Sequence, residues 1–436
     1  MKKIIGIRRE DKNIWERRAA IIPEQVIKFR EELPLEFYCQ PYPTRAFSDQ
    51  EYEQAGARIE EDLTRCSVIF GIKEIPIPLL HPGKTYLYFS HTIKGQKYNL
   101  PMLRHLLESR STLIDYELIK DARGRRLVFF GRFAGMAGMV DTLHALGLRL
   151  RSQGFETPFT DIRMAYKYRD IAEAKAAVET AGRRIAEQGI PEPLRPLVIG
   201  FSGYGHVSKG AQEVFDLLPH QEVEPQELAG LTPRRDTILH KVVFAERDMV
   251  KPVDPEQAFD LNDYFEHPEG YHSQFEAHLP HLSVLINGIY WDKRYPRLLT
   301  KRYLKERWSE GRPIKMQVIG DISCDINGSI ECTEKATESD NPIFVYHPGT
   351  DTIRDGHEGE GVVIMAVDNL PAEIPRDASQ AFSQSLHPFV PAICLADYSQ
   401  PFGQLNLPPE IKNAVICHQG QLTPSYSYLE EHLNKA

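Results

Sequence analysis

Lys73 and His91 stand where chemistry is most accessible in an α/β protein. Lys73 follows the apolar run Val68-Ile69-Phe70-Gly71-Ile72, and His91 follows Tyr86–Ser90, so each is predicted at the end of a strand. In open α/β sheets ligands bind at the carboxyl ends of strands. A lysine and a histidine there form a plausible acid–base pair, because burial lowers a lysine pKa towards neutrality. Taken alone, each is equally what an exposed lysine or a satisfied histidine looks like. Arg17, Arg18, Lys94, Arg125 and Arg126 also fall beside predicted strand ends. Arginines suit bidentate carboxylate binding, and exposed charge is the alternative for each.

A second constellation is the stretch Leu197–Phe201, Ser202-Gly203-Tyr204-Gly205-His206-Val207-Ser208-Lys209-Gly210, then a helical pattern over 211–218. Strand, G-x-G and helix is the dinucleotide-binding layout. Gly203 permits the sharp turn, and Gly205 lets a pyrophosphate approach the backbone. The helix start offers unpaired N–H groups and a positive dipole end. The third glycine of the pattern is Ser208 here, with Gly210 just beyond. A tight turn without a ligand is the alternative. Glu224, about twenty residues after the turn, suits the adenosine ribose hydroxyls and favours NAD. Arg234 and Arg235 could instead hold a 2′-phosphate, so the residues leave the cofactor choice open. Asp355-Gly356-His357-Glu358-Gly359-Glu360 resembles a metal loop but lacks a second histidine at helical spacing, and no metal is expected. Asp321, after a late strand, is expected to contact cofactor or substrate.

The elements that must position these residues alternate. Strand patterns at 3–8, 35–40, 66–72, 85–89, 112–115 and 126–130 alternate with helical ones at 23–33 and 100–109. Helices are predicted over 134–152, where Gly135 and Gly138 permit close backbone approach, and over 171–188. The proline-rich stretch 189–196 reads as a boundary. Further strands are predicted at 221–224, 241–244, 284–286, 317–319 and 362–367, with an aromatic excursion at 262–278. The pattern predicts two Rossmann-like α/β domains, each a mainly parallel sheet flanked by helices, with a cleft between them as the site. The boundaries predicted are 1–133, completed by 368–436, for a substrate domain and 134–367 for a dinucleotide-binding domain. A length of 436 residues supports two domains. A net charge of −9 argues against a general nucleic-acid binder. No apolar run reaches membrane-spanning length, and the start is broken too early by Arg8, Arg9, Glu10 and Asp11 for a signal peptide. Six scattered cysteines without a C-x-x-C pair fit a reducing cytoplasm.

Several long stretches together carry a family resemblance. They are Arg8-Arg9-Glu10 to Trp15-Glu16-Arg17-Arg18-Ala19, Gly71-Ile72-Lys73, Phe89-Ser90-His91-Thr92-Ile93-Lys94, Val207–Gln212, Ile286–Trp291, Pro296–Thr300, Gly328–Glu331 and Asp368–Pro371. The chain resembles the lysine-ketoglutarate reductase half of the bifunctional aminoadipic semialdehyde synthases. It is similar, more distantly, to fungal lysine-forming saccharopine dehydrogenases and to alanine dehydrogenase. The resemblance implies reversible condensation of L-lysine with 2-oxoglutarate and reduction of the imine to saccharopine, with NADPH preferred to NADH. It implies that Lys73 exchanges the amine proton and His91 the proton of the carbinolamine oxygen or water. By the same resemblance Arg18, Lys94, Gln96 and Arg126 bind substrate, Phe130 lines the site, and Glu74 and Glu117 tune the pair. Gly203, Gly205, His206, Val207, Glu224, Tyr290 and Asp321 fall at cofactor positions, with Arg125 beside them. The chain stops where the bifunctional proteins continue, so it is expected to interconvert saccharopine and lysine only. A homo-oligomer is compatible with this reading. Rivals are an alanine-dehydrogenase-like enzyme, an opine-type reductase using another amine or oxo acid, and a non-catalytic nucleotide-binding sensor.

Overall fold

A computed structural model describes residues 2–232 and 239–435; Arg234 and Arg235 lie outside the described residues. The chain divides into two compact units, Met1–Phe130 with Pro375–Ala436, and Gly131–Ile374. The sequence pattern put these junctions at 133/134 and 367/368. They differ because the long helix begins at Gly131, directly after Phe130, and because Leu370 packs beside Gly138 of that helix.

Unit 1 opens with β1 (Lys3–Ile7), α1 (Pro23–Glu32), β2 (Leu35–Cys39), α2 (Asp49–Gln54), β3 (Arg58–Ile59), β4 (Val68–Phe70), β5 (Thr85–Tyr88), α3 (Leu100–Glu108) and β6 (Thr112–Asp115). All neighbouring pairs among these strands are parallel. β4, β5 and β6 are buried at every position, as parallel strands covered on both faces must be. The strand expected at 126–130 does not form. Arg126 makes only an isolated bridge to Lys120, and Val128 and Phe130 are buried as irregular chain.

Unit 2 starts with α4 (Gly131–Ser152) and α5 (Ile171–Gln188), followed by β7 (Val198–Ser202), α6 (His206–Phe215), β8 (Gln221–Glu222), β9 (His240–Phe244) and α7 (Glu246–Met249). The proline-rich stretch 189–196 is no domain boundary; it joins α5 to β7 inside this unit, with Ile190 buried. An excursion follows as the antiparallel pair β10 (Val250–Pro252) and β11 (Tyr271–Ser273), with α8 (Leu261–Glu266) between them. Then come β12 (Val284–Asn287), α9 (Lys301–Ser309), β13 (Val318–Asp321), the hairpin β14 (Ile343–His347) and β15 (Thr352–Asp355), and β16 (Val362–Met365). The sheet order is β15-β14-β16-β13-β12-β7-β9-β8. Only β14 runs against the other strands, antiparallel to both of its neighbours, β15 and β16. β7 is parallel to both neighbours, but the strands that follow it are added first on one side (β8, β9) and then on the other (β12, β13), which places a topological switch point at its carboxyl end.

The chain then completes unit 1 with α10 (Pro375–Leu386), α11 (Val390–Leu395), β17 (Val415–His418) and β18 (Gln421–Leu422). The first sheet thus reads β18-β17-β6-β5-β4-β1-β2-β3, and β17 joins β6 antiparallel. No helix among the described residues is long and apolar enough to cross a membrane.

Candidate active site

In unit 1 the carboxyl ends of β1, β4, β5 and β6 each deliver a polar residue. Glu10, just beyond β1, is buried and accepts the backbone N–H groups of Ile72 (2.8 Å) and Lys73 (2.9 Å). This clamp fixes the chain after β4. Burial pushes the Glu10 carboxyl up to about 7, against the lowering effects of Arg8 and the two N–H groups. Glu74 comes next. Its Oε1 lies 2.6 Å from His91 Nδ1, and its Oε2 lies 3.3 Å from Lys12 Nζ. Burial raises the Glu74 carboxyl, but the hydrogen bond and charge of His91 outweigh it and hold it at about 2. The group is therefore a carboxylate at neutral pH.

His91 keeps a left-handed backbone, φ +48°, which a residue with a Cβ rarely adopts. The Asn99 amide holds it there, donating to the carbonyls of Ser90 (2.9 Å) and His91 (3.3 Å). Asp115 ties the neighbouring strand ends together: it accepts from the N–H of Ser90 (2.9 Å) and of Glu117 (2.8 Å). Burial raises its carboxyl in spite of these bonds.

An aromatic floor lies alongside. Phe130 stacks on Phe382 at 4.5 Å and 8°, and Phe89 packs against both Phe130 and Tyr116. Two cations sit over it: Arg18 is 4.1 Å from the Phe130 centroid, and Arg126 is 6.0 Å from that of Phe89. Arg18 is buried and gripped by Glu16, Nε to Oε1 at 2.8 Å and Nη2 to Oε2 at 2.5 Å. Arg126 lies 3.7 Å from Glu117. Lys94 is exposed, with its N–H donating to the Gln96 side-chain oxygen at 3.1 Å. Arg125 also belongs to unit 1, and Asp121 engages its guanidinium at 2.7 Å. Unit 1 therefore gathers Glu74 with His91, and Arg18 with Phe130. Glu10, Glu16, Asn99, Asp115 and Phe382 join them only through the fold. Glu10 and Glu16 stand within the quoted N-terminal stretch, but a carboxylate among arginines normally reads as exposed charge. Nothing in the sequence links Phe382 to Phe130.

In unit 2 the turn Gly203-Tyr204-Gly205 joins β7 to α6. Gly203 has φ +79°, where a side chain is strained. Gly205 caps α6, and a Cβ there meets no atom within 4 Å, so backbone and helix start are open to a pyrophosphate. Gly210, just beyond the third position of the pattern, lets two helices pack closely. A Cβ on Gly210 would stand 2.0 Å from the Arg132 carbonyl oxygen, and one on Gly135 1.9 Å from that of Val207. Below the turn a register row crosses the sheet. Ser202 Oγ donates to Asn287 Oδ1 (2.9 Å), Asn287 Nδ2 to Asp321 Oδ1 (2.8 Å), and Thr333 Oγ1 to Asp321 Oδ2 (2.5 Å). Burial pushes Asp321 up to about 6 despite these donors. His206 and Val207 open α6, while Tyr290 is exposed and bonds Asp292 at 3.2 Å. Glu224 lies beyond the edge strand β8, two sheet positions from β7. Among the described residues no group of three His, Cys, Asp or Glu is gathered to hold a metal ion.

Two units on mainly parallel eight-stranded sheets, one bearing a strand–G-x-G–helix turn, define a two-unit α/β protein with a dinucleotide-binding layout. The profiles "Alanine dehydrogenase/PNT, N-terminal domain" and "Alanine dehydrogenase/PNT, C-terminal domain" match residues 6–137 and 260–425. The chain belongs to the alanine dehydrogenase/PNT family. It is 40% identical to the alpha-aminoadipic semialdehyde synthase of Arabidopsis thaliana over 98% of this chain and 41% of that protein. The chain thus spans less than half the length of that relative. It is 25% identical to a saccharopine dehydrogenase [NAD(+), L-lysine-forming] of Candida glabrata, over 89% of this chain and 91% of that one. Its fold is similar to that of an L-alanine dehydrogenase, with TM-score 0.62, 18% identity and 99% of each chain covered.

Proposed function

We propose that the protein catalyses the reversible reductive condensation of L-lysine with 2-oxoglutarate to saccharopine. The observation that carries this reading is the 2.6 Å Glu74–His91 couple beside Lys73, whose backbone Glu10 clamps. An amine adding to a ketone must lose a proton from nitrogen, and the hydroxyl formed must gain one to leave as water. Glu74, held ionised, accepts a hydrogen bond from the Nδ1–H of His91 and leaves Nε2 to exchange protons with the substrate oxygen. Lys73 exchanges the proton of the amine nitrogen. Arg18, Lys94, Gln96 and Arg126 bind the carboxylates, Glu117 orients Arg126, and Phe130 walls the site. A nicotinamide dinucleotide held at Gly203, Gly205, His206, Val207, Tyr290 and Asp321 supplies the hydride when bound. The resemblance implies NADPH for that role. The Candida glabrata relative is named for this reaction. All six cysteines are free thiols, in keeping with a reducing, cytoplasmic setting.

The test is nicotinamide absorbance with purified protein, L-lysine and 2-oxoglutarate. Consumption is expected to require both substrates. Lys73→Met and His91→Asn should each lower kcat by about 10²–10⁴-fold while dinucleotide affinity holds. Unchanged turnover in both variants removes the assigned pair. Turnover with ammonia and pyruvate instead points to alanine-dehydrogenase chemistry. Dinucleotide binding with silence across a panel of amines and oxo acids points to a sensor.

A further inference from the structure

The strand that flanks β7 on its dinucleotide side is not the next one in sequence. The chain passes from α6 to β8 at the sheet edge and returns to insert β9 between β8 and β7. In a dinucleotide-binding sheet the adenosine ribose lies over the end of the strand adjacent to the glycine strand. Two sheet positions separate β8 from β7, about 9–10 Å at the ordinary strand spacing. Glu224, beyond β8, therefore lies one strand, about 5 Å, outside the ribose position at the end of β9. β9 is in direct register with β7, Ser202 opposite Phe244. The glycine turn is also bonded to its end: the Gly203 N–H donates to the Phe244 carbonyl at 2.9 Å. Two residues further stands Glu246, half-buried. Its carboxylate bears on Tyr204, the residue between the two glycines. Partial burial, the charge of Glu246 and their hydrogen bond all push that phenol above its ordinary value.

We propose that Glu246, and not Glu224, reads the 2′ position of the adenosine ribose, and that it selects the dinucleotide with a free 2′-hydroxyl, NADH. A carboxylate there accepts hydrogen bonds from ribose hydroxyls and repels a 2′-phosphate. The proposal rests on unit 2 taking a nicotinamide dinucleotide, and it assigns the group that chooses between the two forms. Arg247, the next residue and exposed, is the group a 2′-phosphate would seek.

The experiment is titration of the full chain with NADH and with NADPH, read by nicotinamide fluorescence without substrates, for the native protein, Glu246→Gln and Glu224→Gln. Circular dichroism establishes that each variant is folded. The native protein is expected to bind NADH at least about tenfold more tightly. Glu246→Gln is expected to erase that preference by strengthening NADPH binding, and Glu224→Gln to leave the ratio of the two affinities unchanged. A native preference for NADPH that Arg247→Ala abolishes overturns the proposal, and so does a ratio that moves with Glu224→Gln but not with Glu246→Gln. In both cases the dinucleotide reading of unit 2 survives. A folded native protein that binds neither dinucleotide removes that reading and the proposal with it.

Discussion

His91 holds a conformation that costs a non-glycine residue on the order of 1–3 kcal/mol, and the Asn99 amide and Glu74 carboxylate keep it in place. The same carboxylate links the site to stability. Its folded pKa, about 2, lies below the ordinary carboxyl value of 4.5. The stabilisation is therefore complete above about pH 4.5 and is lost as pH falls through about 2. Glu74→Gln should remove this part of the acid sensitivity, seen as a shallower fall of Tm between those values. Glu10 has the opposite sign. Its folded pKa is raised to about 7, so its contribution falls as pH rises from about 4.5 to about 7. Glu10→Ala leaves the N–H groups of Ile72 and Lys73 without their acceptor. A cost of about 1–3 kcal/mol per unsatisfied group follows, with a loss of kcat because Lys73 is no longer held. A melt and a rate measurement on one preparation check both.

At the scale of elements, unit 2 depends on α4 and α6 meeting backbone to backbone. Gly135 and Gly210 make that approach possible, because a Cβ on either would stand 1.9–2.0 Å from a carbonyl oxygen of the other helix. Alanine at either position cannot be absorbed by a rotamer change. The helices must separate, at more than the roughly 1–3 kcal/mol of ordinary overpacking. Separation also displaces the α6 start that Gly205 caps, so dinucleotide affinity should fall with Tm. Gly230→Ala, where a Cβ meets nothing within 4 Å, is the control expected to change neither. Equal loss in all three variants would show that helix contact is not the cause.

At the scale of the molecule, unit 2 is one continuous segment and unit 1 is not. A fragment of residues 131–374 retains every strand of its sheet and should fold and bind dinucleotide. A fragment of residues 1–130 lacks β17, which pairs with β6, and lacks Phe382, which stacks on Phe130. It should be insoluble or unfolded by circular dichroism. A cooperative melt from that fragment would show that the tail only decorates the unit.

The sequence by itself determined the α/β class, the strands whose ends carry Lys73 and His91, and the glycine turn. Each of these is a local pattern: an apolar run of strand length, a polar residue at its end, or small residues at fixed spacing. Only the tertiary structure decided which strand lies beside which. The strand of five residues, β9, is buried at all but one position and takes the place beside β7, while the two-residue β8, exposed at both positions, is left at the edge. On the proposal above, that order is what brings Glu246 instead of Glu224 to the ribose. Tertiary contact likewise turned Glu10 and Glu16 from apparent surface charge into buried acceptors for the Lys73 backbone and the Arg18 guanidinium. Their partners are set by packing and not by spacing along the chain.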